Sequence, residues 1–175
     1  MNFLKSLFGS TTKPEQPEYK FSAIDLGYFQ YDQIQINFPF PNSHYLYEYL
    51  NKNESYLSDP NGFEVGIKNG KLNYIFLILE QFNGQLQFKG SDLDFNSSTN
   101  IDEVTKMFGE PYWVDSSDGE TIQFYIYDQG NLELQFEYTN KVNLSFITLS
   151  YQGVLFSPEQ RKSYEVNKPW PPQNN

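Results

Sequence analysis

The sequence predicts an α+β domain, an antiparallel sheet with short helices packed on one face, and three patterns carry that expectation. Several runs alternate apolar with polar residues, the mark of a strand with one wet face. Asn69-Gly70 lies between two of them, Glu64–Ile67 and Leu72–Leu79, and Asn-Gly in that setting is the strongest short hairpin signal. The order of elements also occurs twice. Ile34–Leu79 reads as strand, helix and hairpin, and Leu93–Leu149 reads the same with one extra strand, Ile122–Tyr127, so the chain has the pattern of a tandem duplication of a β-α-β-β unit.

The elements follow in chain order. Residues 1–20 read as an N-terminal arm or linker, with Pro14 and Pro17 among polar residues. The first unit spans 21–90. Its apolar positions give one or two strands over Phe21–Phe38 with Gly27 as a break, including the alternating Ile34–Phe38. His44–Leu50 is most simply a short helix capped by Asn42 or Ser43, although its tyrosines also suit a strand. Glu54–Gly62 is polar with a turn at Asp59-Pro-Asn-Gly62, and Leu86–Phe95 supplies further strand broken at Gly90. The second unit spans 91–156. Thr99 or Asn100 caps a helix at Ile101–Phe108, with Asp102 and Glu103 in the first turn, where the helix dipole favours anions, and Gly109 and Pro111 end it. After the turn Asp115–Glu120 come strands at Ile122–Tyr127, Leu132–Glu137 and Leu144–Ser150. Residues 157–175 form a helical turn begun by Ser157-Pro158 and a stiff polyproline-like tail, Lys168-Pro-Trp-Pro-Pro172, in which Trp170 suits a packed clasp.

Composition narrows the function. A chain of 175 residues with this many apolar positions builds a core as one compact domain without staples. It has no cysteine, which removes disulfides and thiolate chemistry and suits a reducing cytoplasm. A net charge of -10 makes nucleic acid and anionic membrane poor partners and basic proteins good ones. No apolar run approaches the roughly 20 residues of a membrane span, and Met1–Phe8 is too short for a secretory core and reads as a frayed terminus.

Catalytic chemistry finds little to stand on. The single histidine, His44, follows Ser43 at a helix start with no local carboxylate to orient it, so capping explains it better than catalysis. Zinc or copper sites want several His or Cys. Asp92, Asp94, Asn96 and Glu103 fall on positions one, three, five and twelve of a calcium-loop template, but Ser97 stands where that loop needs glycine and the flank looks like a strand. Asp115, Asp118 and Glu120 form an acidic loop with the raw material for a glycosidase-like pair, yet acids in a Ser/Gly turn are usually turn formers. With the lone Arg161 and no glycine-rich loop after a strand, phosphate has no grip. The sequence therefore reads as non-enzymatic, with no cofactor and no metal.

Binding remains. Tyrosines at 45, 47, 49, 56, 125 and 127 lie on segments expected to be half exposed, beside Glu48, Glu54, Asp59, Asp115, Asp118 and Glu120. Aromatic anchors inside a charged rim are what interfaces use.

Ile101–Pro111 with its Gly-Glu-Pro ending, then Ile122-Gln-Phe-Tyr-Ile-Tyr-Asp and Leu132-Glu-Leu-Gln-Phe-Glu, resembles the helix, Gly-x-Pro and antiparallel-sheet unit of the barrel-assembly lipoprotein and β-lactamase-inhibitor-like domains. It also resembles the cytoplasmic immunity proteins that neutralise polymorphic toxins of contact-dependent inhibition, Rhs and type VI secretion systems. The likeness covers about Leu93–Pro172, and no lipobox cysteine supports the lipoprotein branch. Likeness to the immunity group implies tight stoichiometric binding of a cognate, basic toxin domain in a bacterial cytoplasm. The acidic turn suggests Asp115, Asp118 and Glu120 as its charged contacts, with Trp113, Tyr125 and Tyr127 as anchors. Two rivals are a structural module that takes a partner strand at an open edge beside Ile122–Tyr127, and a hydrolase using carboxylates gathered from both units.

Overall fold

In the computed structural model, which describes residues 16–20, 22–116, 119–139 and 142–172, the alternating runs pair into two mostly antiparallel sheets. Along the chain come β1 (Ala23–Asp25), β2 (Gln30–Tyr31), β3 (Ile34–Gln35), α1 (Tyr47–Asn53), β4 (Ser55–Ser58), β5 (Phe63–Lys68), β6 (Lys71–Ile78), β7 (Gln85–Phe88) and β8 (Ser91–Asp92). Then follow α2 (Ile101–Phe108), β9 (Trp113–Asp115), β10 (Thr121–Tyr127), β11 (Leu132–Thr139), β12 (Asn143–Tyr151) and α3 (Pro158–Ser163). The α+β class is as the alternation predicts. No helix among the described residues is long and apolar enough to cross a membrane.

The small sheet has the order β3-β2-β1-β7-β8, with β1 and β7 parallel. One carboxylate ties its two turns together. Asp25, 5% exposed, accepts from the backbone N–H groups of Gly27, Tyr28, Lys89 and Gly90 at 2.6–3.0 Å, satisfying donors that burial would otherwise orphan.

The large sheet has the order β4-β5-β6-β12-β11-β10-β9. Its two hairpins share one register. Phe63 faces Leu77, Val65 faces Ile75 and, past a bulge at Gly66/Ile67, Ile67 faces Leu72. In the other hairpin Leu134 faces Leu149, Phe136 faces Ile147 and, past a bulge at Glu137/Tyr138, Tyr138 faces Leu144. The seam between them pairs Leu77 with Ile147 and Ile75 with Leu149, so Phe76 and Thr148 sit on a local two-fold axis. Beyond the hairpins the order helix, strand, 3-10 turn, strand, strand also occurs in both halves, with β9 inserted after α2 in the second and 3-10 turns at Asp59–Asn61 and Asp128–Gly130.

Side chains alternate across a strand, so these register pairs also sort the faces. The inner face carries Phe63, Val65, Ile75, Leu77, Leu134, Phe136, Ile147 and Leu149, all at most 1% exposed. Leu46 and Leu50 from α1 and its approach, Val104 from α2, and Ile24, Leu26 and Tyr31 from the small sheet complete this core. On the outer face the C-terminal segment folds back over the β9–β11 side. Glu133 accepts from Val154 and Leu155 N–H at 2.8 Å, and Tyr164 packs edge-on to Phe124. Trp170 is the clasp: the Arg161 guanidinium lies 4.5 Å above its ring, Tyr112 donates to the carbonyls of Lys168 and Pro169, and a Cβ on Gly130 would meet the indole at 2.7 Å.

Four expectations change. Only Ile34–Gln35 of Ile34–Phe38 pairs as strand, because Asn37 turns the backbone to positive φ and residues 37–40 cross to hydrogen-bond Gly70 and Leu72. The first helix starts at Tyr47, behind Leu46 rather than Asn42 or Ser43, because two turns, His44 N–H to Pro41 and Tyr47 N–H to His44, occupy 41–47. Ser55–Ser58 is a strand inside the polar stretch Glu54–Gly62, ahead of its turn at Asp59-Pro-Asn-Gly62. It pairs with β5 as β10 pairs with β11, which makes β9, not Ile122–Tyr127, the strand that the second unit adds.

Candidate binding surface on the outer face

Direct cross-strand partners point to the same side, so the registers lay out one row across the outer face: Ile78, Phe146, Glu137, Ile122 and Asp115, from β6 to β9. Phe76 stacks on Phe146 with ring centroids 5.6 Å apart and an interplanar angle of 19°. Phe76, Ile78, Ile122 and Phe146 are half-buried, so each keeps apolar area in water.

Carboxylates interrupt this row at Glu137 and end it at Asp115. Glu120, exposed, precedes β10 and acts on Glu137, whose carboxyl is pushed above the ordinary value first by burial and then by the Glu120 charge. Tyr164 reports the same field. Its phenol is pushed up by burial and by the negative charges of Asp115, Glu137 and Glu133. Glu133, 1% exposed, is itself raised by burial, partly offset by its hydrogen bonds from Gln135, Leu155 and Val154.

The expected contact residues divide between the two faces. Trp113 stands on β9 beside Phe124 on the outer face, half-buried, with its indole N–H buried and without a hydrogen-bond partner among the described residues. Asp115 ends the acidic row, and Asp118 lies outside the described residues, as does Met1–Phe8. Tyr125 is corrected from surface anchor to core. It is 3% exposed, packs on Phe108 and Phe136 and donates to the Gly109 carbonyl at 3.0 Å, because its partner on β11 is the inward-facing Leu134. Tyr127 shares that parity at the strand's end. It remains 37% exposed, packs edge-on to Phe29, and burial pushes its phenol up to about 12. Glu137, Phe76, Phe146 and Tyr164 were not singled out from sequence; the signal for Glu137 was the hairpin register, which sets it opposite Ile122.

The remaining candidates have local partners. His44 has a carboxylate that sequence proximity hid: its Nε2 lies 3.5 Å from Asp32 Oδ2, while Nδ1 accepts from Leu46 N–H at 3.2 Å. Both ring nitrogens are thereby engaged, and neither is left for a substrate proton. Tyr56 is buried and donates to the Pro17 carbonyl, and Tyr45 hydrogen-bonds with Tyr31, so these tyrosines hold the arm and the core.

The calcium-template residues serve separate roles. Asp92 accepts from the Gln85 amide, Asn96 accepts from Ser98, and Glu103 accepts from Asn100 N–H in a reciprocal capping box that starts α2. Among the described residues no group of three or more His, Asp or Glu is placed to hold a metal ion. Strand β9 pairs with Ile122, Gln123 and Phe124 and so occupies the edge where strand addition was expected.

No family model and no curated protein matches the chain. Among solved structures it is similar to a DUF4309 family protein, YjgB, from Bacillus subtilis subsp. subtilis str. 168, with a TM-score of 0.34 and 15% identity over 66% of this chain and 70% of that one. A likeness at that level transfers no function.

Proposed function

We propose that the chain is a non-catalytic inhibitor that binds a basic toxin domain tightly and stoichiometrically through the outer-face row, in the manner of an immunity protein acting in the bacterial cytoplasm. The observation that carries this reading is an apolar patch, Phe76, Ile78 and Phe146, continued across the sheet by Glu137, Ile122 and Asp115, with Glu120 acting against Glu137. Holding two such carboxylates together costs free energy in the isolated protein, and lysine or arginine from a partner offsets that cost. The apolar patch supplies the water-excluding centre of the interface.

Co-expression with the toxin domain encoded beside its gene tests the reading. Growth rescue and a co-purifying complex are expected, and the pair Glu120→Lys with Glu137→Lys should weaken the complex by about 2 kcal/mol, roughly 30-fold. Loss of both rescue and complex in the unmodified protein would defeat it.

A further inference from the structure

The two-fold seam makes positions on the two halves of the large sheet equivalent, and one such pair is unequal in its surroundings. Phe63 and Leu134 are equivalent, opposite Leu77 and Leu149, and Ser58 and Tyr125 lie opposite them in turn, so Leu57 on β4 corresponds to Phe124 on β10. Phe124 is fully buried, with Tyr164 of the C-terminal segment packed on it. Leu57 is left 40% exposed. On the same face lie the half-buried Phe76, Ile78 and Phe146, so this half of the sheet presents a patch of apolar area to water. A hollow of about 330 Å³ opens between Ile78, Glu80 and Phe146.

The chain itself supplies an occupant. Gln16 donates to the Tyr49 hydroxyl at 3.3 Å, and the Pro17 carbonyl accepts from Tyr56, the residue before Leu57. The arm therefore passes α1 and β4 at the edge of the large sheet, where β4 is the outermost strand. Rounding that edge takes about 10 Å and crossing from β4 to β12 about 14 Å more, while the eight residues from Gln16 back to Phe8 span up to about 26 Å extended. Residues 1–14 contain Phe3, Leu4, Leu7, Phe8, Lys5 and Lys13 and no acid, in a chain with 22 acidic residues. Glu64 pairs with Leu57 and Phe76, Glu137 pairs with Phe146 and Glu80 walls the hollow, so carboxylates lie along the patch. We infer that residues 1–15 turn back around β4 and lay Phe3, Leu4, Leu7 and Phe8 on Leu57, Phe76, Ile78 and Phe146, with Lys5 among these carboxylates. Met1–Phe8, too short for a secretory core, is long enough to be such a cover. A second copy of the chain suits the patch less well, because it would bring a further net charge of -10 against the same acids. Ile78 and Phe146 also belong to the row proposed for the toxin, so there the segment is the toxin's competitor; that consequence alone rests on the toxin reading.

A spin label on the full chain, without toxin, tests the inference. The chain has no cysteine, so Ser6→Cys carries a single nitroxide. The methyl resonances of Leu57 and Ile78 should be broadened, and those of Val166 in the C-terminal segment should not. Phe3→Ser with Leu7→Ser should abolish the broadening, and Lys5→Glu should weaken it more at low salt than at high salt. Leu57→Ser, at an exposed position, should reduce the broadening read at Ile78 from the other side of the contact. The inference is overturned if Leu57 and Ile78 are broadened no more than Val166, or if the double substitution leaves the broadening intact. It is overturned equally if spin-labelled chain broadens isotope-labelled, spin-free chain to the same degree, which would make a second copy the occupant. Every readout uses the chain alone, so failure of the docking and failure of the toxin reading are distinguishable.

Discussion

The two hairpins of the large sheet have the same register, the same bulge position and a two-fold seam, yet what surrounds them differs. On the β4–β6 side the flanking strand is four residues long, and the outer-facing Leu57 is 40% exposed. On the β10–β12 side the flanking strand has seven residues, β9 extends the sheet, and the C-terminal segment is fastened over the outer face through Glu133 and Trp170. The acidic row reaches its end, Asp115, only through these additions. A repeated framework fixes where strands lie, and the unequal parts decide what the surface offers.

The largest test of that contrast lies in the core. Phe136 and Val65 hold equivalent register positions opposite Ile147 and Ile75. Phe136→Ala should cost about 4 kcal/mol and Val65→Ala about 2 kcal/mol in denaturant unfolding, following the volume removed. Equal costs would mean that the halves relax differently and that register equivalence does not extend to packing. A middle-sized effect is expected at Glu133→Ala, which orphans the Val154 and Leu155 N–H groups and should cost about 2 to 3 kcal/mol while opening residues 152–172 to limited proteolysis. Unchanged protease resistance would show that the Trp170, Tyr112 and Tyr164 contacts hold the segment without Glu133.

The smallest effect is electrostatic. Glu133 and Glu137 are both raised in the folded state above 4.5, so the folded chain keeps protons that the unfolded chain has already released. Their contribution is most favourable at low pH and declines as pH rises through the window from 4.5 up to the raised values. In Glu120→Gln the Glu137 part of that decline should shrink, read as the denaturation midpoint against pH; an identical slope would separate Glu120 from Glu137.

Much of the second hairpin was legible because alternation, caps and turns agreed there. Ile101–Phe108 matches α2, and Leu132–Glu137 and Leu144–Ser150 fall within β11 and β12. Strand β4 was not legible, since Ser-Tyr-Leu-Ser buries Tyr56, leaves Leu57 in water and begins and ends on serine. The site was harder still. Asp115 and Glu120 were visible as an acidic turn, but their neighbours Glu137 and Phe146 reach them only through strand pairing, which local sequence does not encode. Tyr125 was misjudged for the same reason: alternation fixes that successive side chains oppose one another, and only the partner strand decides which side is wet.

The β6–β12 seam also bears on how the chain acquires its structure. Each hairpin closes over a short turn, so its contacts are local and inexpensive in loop entropy, whereas the seam joins strands separated by everything from β7 to β11. Within the large sheet contact order therefore concentrates at one interface, and docking of two preformed hairpins along it is the step expected to limit the assembly of that sheet. Substitutions at Ile75, Leu77, Ile147 and Leu149 should slow refolding, while those on β9 or in the C-terminal segment should mainly hasten unfolding.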